Sequence, residues 1–282
     1  VIGERPVLCN GSDAFSSKPD YKQIQINGTV REYVVQLPPK YYAGPRPLVI
    51  ALHGGGGKAS RFSRNRQFFK LAYQHGAVVV YPNGIKGSWG SLGIPSAKGD
   101  IPVYYDDVTF ISRLIDVAVK QYNADPQKVL VTGISFGGIL TFHLCQQIPE
   151  KITAAAPISA AIPTKLEDKI VNAKGIPTMI LNGNEDPRIP FEGGIPEAYS
   201  TAVRQKMEAQ GIDLSVISTP DAIKRYQQIN NCKNTPLYLD IEDKTKDGCT
   251  SKQVIYRNSQ GVEIILVETS GGGHGMPGQG QY

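Results

Sequence analysis

From residue 23 onward the chain alternates between short apolar runs and longer stretches whose apolar positions recur with helical spacing. Residues 23–26 and 30–37 interleave apolar and polar side chains with period two on either side of Asn27-Gly28. That dipeptide favours a two-residue hairpin turn, so an antiparallel hairpin is predicted, ended by Pro38-Pro39. The run Pro47-Leu48-Val49-Ile50-Ala51-Leu52 has no polar interruption, as expected of a strand covered on both faces, and leads into His53-Gly54-Gly55-Gly56-Gly57. A helix over 60–74, stopped at Gly76, and a second covered strand over 77–81 complete a β-α-β unit. Residues 82–105 are punctuated by glycine and proline and predict a long loop, which carries the sole tryptophan, Trp89.

Asp106-Asp107 offer an N-cap and a negative charge to a helix whose apolar stripe is Phe110, Ile111, Leu114, Ile115, Ala118 and Val119. After Pro126 the apolar run 128–132 enters Gly133-Ile134-Ser135-Phe136-Gly137-Gly138, and helical spacing resumes over 139–148. Strands are predicted at 153–159 and 177–181, helices at 197–210 and 220–231, and closing strands at 237–241, 254–257 and 262–267. This alternation describes an α/β protein with a mostly parallel, doubly wound sheet and an N-terminal antiparallel hairpin. Residues 1–20 read as an irregular lead-in and 21–282 as one domain.

Composition narrows the function. With 282 residues, 40% of them apolar, the chain can bury a sizeable core. Its net charge of +5 is spread over 30 basic and 25 acidic residues with no block of like charge, so a nucleic-acid partner is not expected. No apolar stretch reaches the roughly 18 to 20 residues that span a bilayer, and Val1-Ile2-Gly3-Glu4 opens no signal-peptide core. The expectation is a soluble protein, already processed. Four cysteines, Cys9, Cys145, Cys232 and Cys249, form no C-x-x-C pair, so a metal is not expected. Cys145 reads as a small buried apolar residue, and a Cys232–Cys249 disulfide would close a short loop worth about 3 kcal/mol. Asn10-Gly11-Ser12 and Asn27-Gly28-Thr29 match the glycosylation pattern but read as turns.

Strand, G-x-S-x-G and helix in that order make a nucleophile elbow, in which the glycines remove side chains that would clash and the serine stands above the sheet. Ser135 is the candidate nucleophile. A serine hydroxyl needs a base to take its proton and an acid to hold that base. Of the histidines His53, His75, His143 and His274, His75 caps a helix end, His143 lies two turns along the elbow helix, and His53 orders the glycine loop. His274, in the glycine-rich loop after the last strand, remains. Asp186 follows the 177–181 strand in the corresponding place, with its neighbour Glu185 as competitor. One oxyanion donor is the N–H of Phe136, and the other is assigned to Gly55, with Gly54 next. The glycine run is no Walker loop, because Gly57-Lys58-Ala59 lacks the hydroxyl.

The order Ser135, Asp186, His274 is that of α/β-hydrolases. With these residues placed, the chain resembles the polyhydroxybutyrate depolymerase and feruloyl esterase group of that fold, the carbohydrate-esterase family 1 type. The likeness runs from Tyr33 to Pro277 through Leu52-His53-Gly54, Tyr81-Pro82-Asn83-Gly84, Gly87-Ser88-Trp89, Asp106-Asp107-Val108, the elbow, Asn182-Gly183, Glu192-Gly193-Gly194 and Gly271-Gly272-Gly273-His274. It implies a cofactor-free serine esterase with the Ser135-Asp186-His274 triad, acting on feruloyl or acetyl esters of plant polysaccharide or on short polyesters. It also implies export to the periplasm or medium, and the Cys232–Cys249 disulfide. A peptidase or acyltransferase on the same triad, or a non-catalytic carbohydrate-binding protein, are the rival expectations. Phe136 stands where the group often has alanine. Met276 replaces the aromatic of its His-Thr-Trp-Pro motif, and with Trp89 it is the expected substrate contact. Residues 195–213 look like an insertion beside the pocket.

Overall fold

The computed structural model describes residues 21–40, 42–167, 175–243 and 247–276. The lead-in 1–20 and Cys9 fall outside the described residues. The hairpin forms as expected from β1 (Tyr21–Ile26) and β2 (Thr29–Gln36), with Asn27 and Gly28 both at positive φ, 47° and 79°. Strands β3 (Arg46–Leu52), β4 (Val78–Pro82), β5 (Ala124–Ile134), β6 (Ala154–Ile158) and β7 (Thr178–Gly183) follow. β8 (Leu237–Ile241), β9 (Thr250–Arg257) and β10 (Glu263–Ser270) close the chain. They form one sheet in the order β1-β2-β4-β3-β5-β6-β7-β10-β9-β8. β4, β3, β5, β6, β7 and β10 run parallel, and the flanking strands pair antiparallel. This is the α/β-hydrolase fold.

The sheet order positions the site. Loops that bear chemistry in parallel sheets leave the carboxyl ends of the strands. Because β10 inserts beside β7, the loops after β5, β6, β7 and β10 are successive neighbours along one rim. β3, in the middle of the sheet, is covered on both faces, Leu48, Ile50 and Leu52 being completely buried, which is why its apolar run has no polar interruption.

Two departures from expectation have local causes. The helix predicted over 60–74 is two helices, α1 (Ala59–Phe62) and α2 (Arg66–His75). The side chain of Asn65 accepts the Gln67 N–H and starts α2 afresh, and Gly76 stops it at φ 66°. In α3 (Asp107–Tyr122) only Asp106 caps, accepting the Thr109 N–H at 2.8 Å. Asp107 is wholly buried instead, paired with Arg31 at 2.7 Å and accepting the Ser91 N–H at 3.0 Å. Arg31 also lies 4.0 Å over the Phe110 ring. This pair fastens the hairpin and α3 to the long loop after β4.

The expected Cys232–Cys249 disulfide does not form. Cys145, Cys232 and Cys249 are free thiols, the first buried in the core. Lys233, next to Cys232, donates to Arg257 O at the end of β9, whereas Cys249 directly precedes the strand's first residue. The eight residues of β9 thus separate the two cysteines by about 25 Å at ~3.3 Å per residue, against the roughly 7 Å limit between bridged Cα atoms. The helices after the elbow are α4 (Phe136–Gln147), α5 (Thr201–Ala209) and α6 (Thr219–Ile229). No helix among the described residues is long and apolar enough to cross a membrane.

Candidate active site

Ser135 joins β5 to α4 at φ 55° and ψ −123°, a strained conformation for a residue with a side chain. The surrounding glycines show what imposes it. A Cβ on Gly133 would lie 2.5 Å from the Gly137 carbonyl, and one on Gly137 would lie 2.4 Å from Leu52 O. The turn is therefore pressed against the end of β3, where any larger residue would push it away. Ser135 N–H donates to Ile158 O at 2.9 Å, tying the elbow to β6.

Two strands along, Asp186 and His274 meet. His274 Nδ1 lies 2.7 Å from Asp186 Oδ2, and both residues are buried. The other carboxylate oxygen accepts the N–H groups of Arg188 and Ile189 at 2.8 and 3.0 Å, which fixes its orientation. Glu185 is exposed and has no such contact. The loops bearing the pair pack backbone to backbone: a Cβ on Gly183 would come 2.1 Å from Gly272 O. Ser135 Oγ makes no hydrogen bond with His274.

The glycine loop after β3 lies over the elbow. A Cβ on Gly54 would sit 3.4 Å from Ser135 Cβ, and one on Gly55 would sit 3.4 Å from the Phe136 ring. Among the described residues neither the Phe136 nor the Gly55 N–H has an acceptor, whereas Gly56 and Gly57 donate to Gly87 O and Gly54 O. A buried histidine holds this loop. His53 Nε2 accepts the Gly84 N–H at 3.0 Å, so Nδ1 carries the proton and donates to Gly54 O at 2.8 Å.

Burial lowers the His53 pKa, only partly opposed by its bond to Gly54, and keeps the ring neutral. The unfolded chain binds a proton at this residue below about pH 6.5, and the folded one binds it only at lower pH. The stability is thus complete above that pH and lost as pH falls through the folded-state value. Urea midpoints measured between pH 7.5 and 5 are expected to drop for the wild type, with a slope of at most about 1.4 kcal/mol per pH unit from this residue. His53→Gln should flatten that slope; an unchanged slope would assign the titration elsewhere.

Trp89 and Met276, the expected substrate contacts, are both buried and do not line the open cleft. Trp89 is 1% exposed, stacks on His53 with ring centroids 4.7 Å apart, and donates Nε1–H to His53 O at 2.9 Å. A buried indole needs an acceptor for its N–H, and here that need anchors the glycine loop. Met276 is buried with Val49, Ala51, Phe68 and Ile158, and its sulfur accepts from Asn65 Nδ2 at 3.1 Å. The open space lies elsewhere, in a cleft of about 860 Å³ that reaches from Ser135, Phe136 and Gly55 to the loop 94–100 and to Pro187–Ile189. Pro196–Tyr199 and Asp213 form its edge, so both ends of the segment 195–213 border it. Tyr199 Oη–H donates to Pro95 O at 2.9 Å and Lys206 Nζ–H to Gly99 O at 3.2 Å, which clamps that segment to the loop. Ser159, overlooked in the sequence because nothing local marks it, donates Oγ–H to Gly275 O at 2.6 Å.

The comparisons with known proteins agree with this architecture. The family model for phospholipases and carboxylesterases matches residues 43–213, which include Ser135 and Asp186 and stop short of His274. Feruloyl esterase B of Piromyces equi is 25% identical over 248 residues, 86% of this chain and 42% of that protein. An acetylxylan esterase of Coprinopsis cinerea is 26% identical over 255 residues, 83% of this chain and 62% of its own length. The chain thus spans less than two thirds of either relative. An acetyl xylan esterase from Aspergillus awamori superposes with a TM-score of 0.61 at 17% identity, over 92% of this chain and 95% of that one, a likeness of fold. The family model covers more than half of the chain, and the protein belongs to the phospholipase/carboxylesterase family of α/β-hydrolases.

Proposed function

We propose that the protein is a serine carboxylic-ester hydrolase working through an acyl-enzyme. The observation that carries this reading is the buried 2.7 Å His274–Asp186 bond on the same rim of the sheet as a strained Ser135 that lines an open cleft. In this mechanism His274 Nε2 takes the Ser135 proton as Oγ attacks the ester carbonyl. Asp186 holds the imidazole with Nδ1 protonated and stabilises its charge. The tetrahedral oxyanion accepts the Phe136 and Gly55 N–H groups, each worth about 2.7 to 4 kcal/mol to the transition state. Collapse expels the alcohol, which receives the proton from His274, and water then releases the acid by the same steps in reverse.

The names of the relatives point to feruloyl or acetyl esters on plant polysaccharide. A cleft of about 860 Å³ accommodates an aromatic acyl group with part of its sugar carrier, and Phe136 and Ile139 give it apolar wall beside the serine. Short polyesters are the next class. In the test, p-nitrophenyl acetate is expected to release a burst of nitrophenol stoichiometric with enzyme and to leave one acetyl group on the peptide containing Ser135. Rates on methyl ferulate, acetylated xylan and polyhydroxybutyrate then rank the substrates. Absence of both burst and turnover would leave the non-catalytic reading, and faster cleavage of amides than of esters would make the enzyme a peptidase.

A further inference from the structure

We propose that Ser159 is a positioning residue that holds the His274 loop over Ser135, an inference that rests on the acyl-enzyme reading above. Ser159 follows β6 at φ 43° and is 2% exposed. A residue with a side chain is strained in that region, so its surroundings must hold it there. Hydrogen bonds from two adjacent residues reach all three arms of the site. Ile158 O accepts the N–H of Ser135 itself at 2.9 Å. Ser159 N–H donates to Leu181 O at 2.8 Å, in the strand that leads to Asp186. Ser159 Oγ–H donates to Gly275 O at 2.6 Å and the same oxygen accepts the Gly275 N–H at 3.3 Å.

The last contact is the informative one. Gly275 directly follows His274 in a loop, Gly271-Gly272-Gly273-His274-Gly275, that has little side chain to pack with. A glycine-rich backbone loses more conformational freedom on ordering than any other, so its geometry depends on the groups that grip it. Asp186 grips the imidazole from one side, and the Met276 sulfur is held by Asn65 on another. Ser159 supplies the grip on the backbone between them. One hydroxyl serves both Gly275 groups because it carries one donor and two lone pairs. Its hydrogen bonds fix the position of the loop relative to β6, and β6 in turn holds the elbow.

A displacement of about 1 Å in a reacting group costs on the order of a hundredfold in rate. Ser159→Gly and Ser159→Ala are therefore both expected to lower kcat on p-nitrophenyl acetate by about ten- to a hundredfold, with KM within about twofold because neither residue touches the cleft. Only the glycine variant relieves the positive φ, so it should melt higher than the alanine variant while sharing its loss in kcat. A merely structural role would make kcat follow melting temperature, with Ser159→Gly close to wild type in both. Ser135→Ala, measured alongside, separates the two levels of the argument. Loss of activity in Ser135→Ala with wild-type kcat in Ser159→Gly overturns the positioning role alone, whereas full activity in Ser135→Ala overturns the acyl-enzyme reading and this proposal with it.

Discussion

Ser135→Ala is expected to lower kcat for ester hydrolysis by about 10⁶-fold, the loss met when the nucleophile of a serine triad is removed, with little change in melting temperature. The reasoning starts from the backbone. Ser135 holds φ 55° because Gly133 and Gly137 let the turn press on Leu52 O and His53 O. Alanine keeps the same Cβ, so the strain already present is neither added to nor relieved. Among the described residues the Oγ makes no side-chain hydrogen bond, so its removal leaves none of them without a partner. The cleft and the Phe136 and Gly55 N–H groups stay, so residual rate above the water reaction and a near-normal KM should persist. Circular dichroism with burst and steady-state kinetics checks each part. Turnover within tenfold of wild type would remove Ser135 from the mechanism.

What could be read from the sequence was what is decided locally. The elbow is set by residues 133–138 alone, since the glycines answer contacts made within one turn and with the adjoining strand. The hairpin at Asn27-Gly28 is likewise a matter of two φ angles. That Asp186 and His274 lie on one rim was also legible, because in a parallel sheet a loop after a strand has only one rim to occupy. The features that escaped depend on which strands become neighbours. β10 inserts between β7 and β9 against chain order, and that placement puts Gly275 beside Ser159 and the two cysteines at opposite ends of β9. The burial of Asp107 required Arg31 from a strand 76 residues earlier. The burial of Trp89 escaped for a related reason: a tryptophan in a glycine-rich loop has the composition of a binding residue, and only the His53 carbonyl that receives its N–H shows that it faces inward.

Asp186→Asn is expected to cost about 10⁴ in kcat, the effect of fixing the wrong imidazole tautomer, while Glu185→Gln should stay within about twofold of wild type, as exposed side chains without partners do. In the wild-type geometry a carboxylate at 2.7 Å can only accept, so Nδ1 must carry the proton and Nε2 is left free to receive the one on Ser135. An asparagine can keep its oxygen on the Arg188 and Ile189 N–H groups, which preserves the turn. Its amide then faces His274 and donates. Nδ1 becomes the acceptor, the proton moves to Nε2, and the base points an N–H at the serine it should deprotonate. The fold and the substrate cleft are untouched, so the loss should fall on kcat and spare KM. Glu185, exposed to solvent on the same turn, provides the control that separates this account from a general charge effect near the site. If Asp186→Asn turned over normally and Glu185→Gln did not, the acid would be Glu185, and the buried 2.7 Å bond would be a device for holding the loop.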